Sequence, residues 1–268
     1  MTQDNALNTQ DDSQGSSAQR MFGSQAAQYA TSQVHISDNR LTTLQRMISE
    51  APTAGWAVDL GTGAGFTAFA AAEYAGKVVA SDLTREMLLE TRRIGGERNL
   101  PNVVVCQNQA EALPFVSDSF DLVTCRAAGH HFIDLGAAFD EIRRILKPGG
   151  ALVMADSVSP EDDSLASWYN DVELRRDFSH VENRKVSVLL GMLESRGLQV
   201  VEKHDERTYM MFNDWVKRTA TPDSEVVSLR RDFMSATPQA KQTFLIQEQD
   251  DDIAFAWPSL VFKALKRA

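Results

Sequence analysis

Val58-Asp59-Leu60-Gly61-Thr62-Gly63-Ala64-Gly65 is the stretch whose reading decides the fold. Ala57 and Val58 open an apolar run that continues through Leu60 around one carboxylate, Asp59. Three glycines then alternate with small residues. Phe66-Thr67-Ala68-Phe69-Ala70-Ala71-Ala72-Glu73 follows, rich in alanine and without Gly or Pro. The order is strand, glycine loop, helix. A buried parallel strand that ends in such a loop leaves backbone groups open, and the next helix points free N–H groups into the same space. Glycine suits the loop because the turn needs positive φ and because a side chain would hold a ligand away from the backbone. The stretch is therefore a candidate site for a nucleotide-like ligand.

The next unit supports this. Lys77-Val78-Val79-Ala80-Ser81-Asp82 reads as a second strand ending in an acid. Asp82 lies about 20 residues beyond the loop, where a carboxylate can take the two hydroxyls of a ribose. It also stands where it can cap the helix that begins at Thr84. A dinucleotide fingerprint, Gly-x-Gly-x-x-Gly, would need a third glycine where Phe66 stands. The pattern present is Asp-x-Gly-x-Gly-x-Gly, which resembles motif I of the class I S-adenosylmethionine-dependent methyltransferases. Gln109-Ala110-Glu111-Ala112-Leu113-Pro114-Phe115 is similar to that family's Asp-Ala-Glu-x-Leu-Pro-Phe segment. Phe120-Asp121-Leu122-Val123 and the turn Arg144-Ile145-Leu146-Lys147-Pro148-Gly149-Gly150 resemble it too, particularly the branch with the ubiquinone/menaquinone-biosynthesis enzymes.

The resemblance implies S-adenosylmethionine as cofactor and S-adenosylhomocysteine as product. It implies that Gly61, Thr62 and Gly63 receive the methionine part, Asp82 the ribose, and Leu83, Met87, Gln109 and Ala110 the adenine. Asp59 and Arg126 would border the methionine end. Gln109 departs from the usual Asp, but an amide still accepts a hydrogen bond.

Five strand–helix units in a row imply a parallel sheet with helices on both faces. The strands are Ala57–Leu60, Val78–Ser81, Val103–Gln107, Ser119–Arg126 and Ala151–Asp156. Leu198–Lys203 reads as a sixth strand and Ser259–Lys266 as the last. In the resembling fold the last strand is antiparallel and inserts between strands 5 and 6. The expected class is α/β, a Rossmann-like, doubly wound, seven-stranded sheet that is mostly parallel. Residues 1–20 read as a disordered tail and 21–268 as one domain. Within it, 21–51 is a helical cap, 52–156 the cofactor core, and 157–268 the substrate region with the last strands. Tyr29 and His35 in the cap are candidates to line the cofactor site, though packing and surface roles suit them better. Residues 205–256, rich in aromatics and Met, read equally as a lid over an apolar substrate or as the core of added helices.

Ala127-Ala128-Gly129-His130-His131-Phe132-Ile133-Asp134 follows strand 4, at the edge where catalytic groups gather in open α/β sheets. Histidine titrates near working pH, so His130 and His131 are the candidate bases. Neighbours on an extended chain point opposite ways, so at most one of them faces the substrate, with His131 slightly favoured. With Asp134 they fall short of a metal site, whose ligands converge from several directions, and no metal is expected.

The chain has 268 residues, 43% of them hydrophobic, ample for one large domain. No apolar run is long enough to span a membrane. The N-terminus lacks an apolar signal region, and Cys106 and Cys125 read as buried free thiols, so the expected location is the cytoplasm. The net charge of −10 disfavours a nucleic-acid partner, and the paired arginines, such as Arg175-Arg176, read as solvated helix faces. The expected acceptor is a small molecule, apolar or aromatic. Two alternatives stay open: an NAD-dependent oxidoreductase on the same fold, and a cofactor-binding partner protein without catalysis.

Overall fold

A computed structural model describes residues 17–23, 39–51 and 54–267 of the chain. Two helices come first, α1 (17–23) and α2 (Asn39–Ser49). The alternating core is β1 (Ala54–Leu60), α3 (Phe66–Ala72), β2 (Ala75–Asp82), α4 (Arg85–Glu97), β3 (Val103–Gln107), β4 (Phe120–Arg126), α5 (Leu135–Ile145) and β5 (Leu146–Ser157). Then come α6 (Asp163–Arg176), α7 (Val186–Ser195) and β6 (Leu198–Met211). Three short helices, α8 (Phe212–Arg218), α9 (Asp223–Met234) and α10 (Pro238–Thr243), lead to β7 (Gln247–Gln249) and β8 (Asp252–Lys266).

The strands form one sheet in the order 3-2-1-4-5-8-6, with β7 attached to β8. Strands 1 to 5 pair in parallel, and β8 lies antiparallel between β5 and β6. The sheet therefore has eight strands rather than seven. The extra one is the three-residue β7, whose exposed Gln247-Glu248-Gln249 gives no apolar alternation to read.

Strand alternation sorts the core onto two faces. Val58, Leu60, Val123, Leu152 and Met154 pack under α5 and α7. Ala57, Val78, Ala80, Leu122 and Val153 pack under α2 and α3, where Leu44, Met47 and Ile48 of α2 are fully covered. The Cys106 and Cys125 thiols are both free; Cys125 is buried, whereas Cys106 is half-buried rather than buried as expected.

β6 and β8 run further than their sequences suggested. β6 continues from Lys203 to Met211, and β8 begins at Asp252 rather than Ser259, because Asp205–Met211 pairs residue for residue with Ala254–Leu260. The added lengths carry both strands past Ser157, the end of β5, and so beyond the carboxyl edge of the sheet. There Phe212, Trp215, Phe233, Phe244, Phe255 and Trp257 bury one another and Tyr169 in a satellite core. Most of the aromatic content of 205–256 is thus the core of the added helices. α1 also corrects a boundary, since it starts inside the expected tail of residues 1–20; its Met21 is buried, and Gln19 Nε2 donates to Leu83 O at 3.2 Å. Tyr29 and His35 lie outside the described residues.

Candidate active site

The strand order reverses at β1, which lies between β2 and β4. At such a switch point the connections leave on opposite faces and a crevice opens at the carboxyl ends. The glycine loop lies there. Gly61, Gly63 and Gly65 take φ of 61°, 53° and 93°. A Cβ on Gly61 would lie 2.4 Å from the Ala128 Cβ, and one on Gly65 2.5 Å from Phe69 Cζ, so these two are also packing glycines. A Cβ on Gly63 would meet nothing within 4 Å. That glycine faces open space.

Two carboxylates hold the loop. Asp59 accepts from Thr62 Oγ1 at 2.6 Å and from Thr124 Oγ1 at 2.7 Å. Burial raises its carboxyl to about 6, against the pull of both hydroxyls and of Arg126. It stands behind the loop and off the cleft wall, so the expectation that it borders the ligand is corrected: its oxygens are spent on the loop. Asp82 Oδ2 accepts from Gly63 N–H at 2.8 Å, and Oδ1 from Thr84 N–H at 2.8 Å. Burial holds its carboxyl above the usual range despite these bonds. Asp82 therefore braces the turn that leads into α4, whose N-cap position is Thr84 rather than Asp82, and also presents a carboxylate at the loop.

The cleft in front of the loop encloses about 1100 Å³ of space that runs out to solvent. Gly61, Thr62, Gly63, Asp82, Leu83, Met87, Gln109, Ala110, Arg126 and His131 all line it. Arg126 Nε donates to Thr67 Oγ1 at 3.0 Å. Sequence reasoning missed Asn108, held by Ser81 Oγ at 2.8 Å, and Ala18 and Phe22 of α1. Phe22 was legible only as half of an apolar pair, Met21-Phe22, at the end of a polar run.

The two histidines depart from expectation. Ala127 ends β4 with φ 53°, and Gly129–His131 then forms a 3₁₀ turn rather than an extended run. Both rings lie on one side, with centroids 4.1 Å apart. His130 lies off the cofactor cleft. Its Nδ1 is 2.6 Å from Asp156 Oδ1, and Asp156 Oδ2 accepts from the His130 N–H at 3.0 Å. Burial pulls the His130 imidazole down, but the Asp156 charge and bond outweigh it and the net shift is upward. His131 Nδ1 lies 3.0 Å from Ser179 O, which assigns the proton to Nδ1 and leaves Nε2 basic. Burial and the neighbouring His130 lower His131 to about 4. Asp134 is spent as the cap of α5, accepting from Ala137 N–H at 2.9 Å.

Comparison with known proteins agrees with this geometry. The methyltransferase-domain family model matches residues 58–154. The chain is 32% identical over 212 residues to the uncharacterized methyltransferase YcgJ of Bacillus subtilis, covering 78% of this chain and 84% of that protein. The crystal structure of a candidate methyltransferase from Bacillus halodurans C-125 superposes with a TM-score of 0.81 at 34% identity, over 85% of this chain and 99% of that one. The chain belongs to the class I S-adenosylmethionine-dependent methyltransferases. A shorter match, 33% identical over 101 residues, is to a ubiquinone/menaquinone biosynthesis C-methyltransferase of a Marinomonas species, over 37% of this chain and 40% of that protein.

Family membership replaces the NAD-dependent and non-catalytic alternatives, and makes S-adenosylmethionine the cofactor of this methyltransferase. The cleft fits it: Gly63 leaves room against the backbone, and a carboxylate stands at the end of β2. Among the described residues no helix is long and apolar enough to cross a membrane.

The methyltransferase has a second cavity beside the 3₁₀ turn, about 620 Å³ of space that also runs out to solvent. It shares Phe22, Ala127 and His131 with the cofactor cleft, and His130 lines it too. Its far wall comes from α6, β6, α8 and β8, through Tyr169, Arg176, Thr208, Met210, Trp215, Arg218 and Trp257. Arg176 was expected on a solvated helix face. Instead its side chain is 11% exposed and bonds Glu173 Oε2 at 2.7 Å.

Proposed function

We propose that this enzyme methylates a small molecule seated in the second cavity, with His130 as the base. The observation that carries the reading is the shared wall: Phe22, Ala127 and His131 belong to both spaces, so groups held on either side meet there. Gly61, Thr62 and Gly63 would hold the methionine part, Asp82 the ribose, Leu83, Met87, Gln109 and Ala110 the adenine, and Arg126 the methionine end. Asp59 supports them by fixing Thr62. When bound, S-adenosylmethionine supplies a methyl already activated on a sulfonium. The protein's part is then position and the exclusion of water.

As the acceptor's oxygen, nitrogen or carbon takes the methyl, its proton must leave. His130 suits this because Asp156 fixes Nδ1, which leaves Nε2 to take the proton. Its raised pKa also lies nearer working pH than that of His131, and a base works best when matched to that pH. His131 stays neutral at the shared wall. This reverses the order in which the sequence ranked the two.

A pH–rate profile with labelled methyl donor tests the assignment. With His130 as base, kcat/KM rises with pH through a limb above the ordinary histidine value, and His130→Asn removes the limb. A limb near pH 4 assigns the role to His131. A flat profile with full activity in both single variants refutes a protein base. A quinone-type acceptor, suggested by the ubiquinone/menaquinone biosynthesis in the Marinomonas relative's name, is a second reading, favoured by the aromatic walls at Tyr169, Trp215 and Trp257.

A further inference from the structure

We propose that Gly129 is a positioning residue for the base: it leaves the space in which the Asp156 carboxylate lies against the 3₁₀ turn and holds His130 by ring and backbone together. The inference rests on the reading of His130 as the base. The backbone of the turn does not call for glycine here. Gly61, Gly63 and Gly65 lie in the left-handed region, whereas Gly129 does not. What calls for it is space. A Cβ at position 129 would lie 2.5 Å from Met154 Cε and 2.7 Å from Asp156 Oδ2.

The two overlaps differ in kind. Met154 Cε is the far end of a flexible side chain and can swing aside. Asp156 Oδ2 cannot move without giving up bonds. It accepts from the His130 N–H at 3.0 Å, while Oδ1 accepts from His130 Nδ1 at 2.6 Å and from the Ser157 N–H at 2.8 Å. Burial pushes this carboxyl up, but the His130 charge and bond and the Ser157 N–H outweigh it and hold the group below the usual range. It is therefore an ionised acceptor. The turn is held from its other side too, since the His130 carbonyl accepts from the Val181 N–H at 2.9 Å and the Glu182 N–H at 3.2 Å. A methyl at position 129 is thus relieved at the carboxylate, and the grip on His130 loosens.

That grip is what makes His130 a one-sided base. Its N–H, its carbonyl and Nδ1 are all engaged, and Nε2 has no hydrogen-bond partner among the described residues. His130 lines the second cavity, so Nε2 is the nitrogen left for the acceptor's proton. Released from Asp156, the neutral ring can carry its proton on either nitrogen, and the form protonated at Nε2 cannot accept another there. Other titratable groups lie nearby: His131 and His180, with ring centroids 4.1 Å and 5.8 Å away, and Glu173 and Asp177, whose charges reach the ring. None of these bonds to His130 Nδ1 or Nε2 among the described residues, so the tautomer depends on Asp156.

The test labels the histidine ring nitrogens isotopically in the full chain and follows them by nuclear magnetic resonance against pH, with His130→Asn to identify the His130 signals. The wild type should show one neutral tautomer, protonated at Nδ1. Its second proton should bind with a midpoint above the ordinary histidine value, since the Asp156 charge and bond outweigh burial. Gly129→Ala should mix the two tautomers and lower the midpoint. Met154→Ala, which opens the apolar side alone, should lower the melting temperature and leave both ring readouts as they were. The double variant Gly129→Ala/Met154→Ala keeps only the overlap with the carboxylate and should repeat the tautomer mixing, which covers the case of a single variant that folds poorly. A wild-type tautomer and midpoint in either folded variant overturns the proposal and makes Gly129 a packing residue alone. So does a Met154→Ala variant that mixes the tautomers as Gly129→Ala does. The ring signals are read without turnover, so this failure stands apart from failure of the base reading, which is a rate limb that survives His130→Asn.

Discussion

Gly61 and Gly63 are two residues apart, share positive φ and line the same cleft, yet alanine should damage them in different ways. Both substitutions place an L side chain in the left-handed region, which costs about 1–2 kcal/mol. At Gly63 that is the whole structural cost, since the new Cβ meets nothing within 4 Å. At Gly61 the Cβ would lie 2.4 Å from the Ala128 Cβ, and relieving that overlap adds about 1–3 kcal/mol. The expected totals are about 1–2 kcal/mol for Gly63→Ala and about 2–5 kcal/mol for Gly61→Ala. At about 2–4 °C per kcal/mol for a chain of this size, Gly61→Ala should melt several degrees below Gly63→Ala. Binding should run the other way. The methyl on Gly63 occupies the space that lets a ligand reach the backbone, so S-adenosylhomocysteine affinity should fall at least about tenfold. Adding Ala128→Gly to Gly61→Ala removes the overlap and should recover part of its stability, while doing nothing for Gly63→Ala. Thermal unfolding and calorimetric titration of the wild type, the two single variants and the two double variants give both readouts. Equal melting temperatures for the two single variants, or wild-type affinity in Gly63→Ala, would refute the account of the loop.

Other outcomes follow from the same contacts. Asp82→Ala should weaken S-adenosylhomocysteine binding at least about tenfold, since it removes a hydrogen-bonded carboxylate from the cleft; wild-type affinity by calorimetry would end the ribose assignment. Asp59 is raised from 3.8 to about 6 in the folded chain, so the folded state binds its proton more tightly than the unfolded one. Its contribution to stability therefore grows as pH falls from about 6 toward 4, and above pH 6 the buried charge costs about 3 kcal/mol. Asp59→Asn should flatten that part of the pH dependence, and urea unfolding at the two ends of the window reads it; an unchanged slope would mean the raised carboxyl is misassigned. Phe22→Ala strips a wall common to both cavities and the edge contact on His131, 5.0 Å between centroids. It should raise KM for both substrates, which steady-state kinetics will show, and an effect on one substrate alone would argue against a shared wall.

The cofactor half of the site was legible because its signals are local. The glycines and the acid at the end of β2 each act within a few residues, and β3 has the boundaries its apolar run implied. The acceptor half was obscure for two physical reasons. His130 and His131 were read on an extended chain, but the left-handed Ala127 breaks β4 and turns both rings to one side. Arg176 was read as solvated because it stands beside Arg175, which does bond three carboxylates, Asp171, Glu225 and Asp232. A signal existed. Leu165, Tyr169, Val172 and Arg176 recur at four, three and four residues, so Arg176 continues the buried stripe of α6. A charged residue on an apolar stripe points to a buried partner or a polar cavity, and both are present.

The two halves therefore answer to different constraints. The cleft for S-adenosylmethionine is built from short stretches at the carboxyl ends of β1, β2, β3 and β4, with α1 beside them, and its shape depends on backbone dihedrals at the loop glycines. The second cavity gathers side chains from α2, α6, β6, α8 and β8, as far apart in sequence as Arg40 and Trp257. What brings them together is the antiparallel insertion of β8 between β5 and β6, whose overhang carries the satellite core past the edge of the sheet. Substitutions on that overhang leave the glycine loop untouched, so acceptor choice can change while cofactor binding stays fixed. Met210→Ala, on the β6 overhang, is the sharpest case: it should alter which acceptor binds and leave S-adenosylhomocysteine affinity as it was. A loss of cofactor affinity in that variant would show that the two halves are coupled through the Phe22–His131 wall.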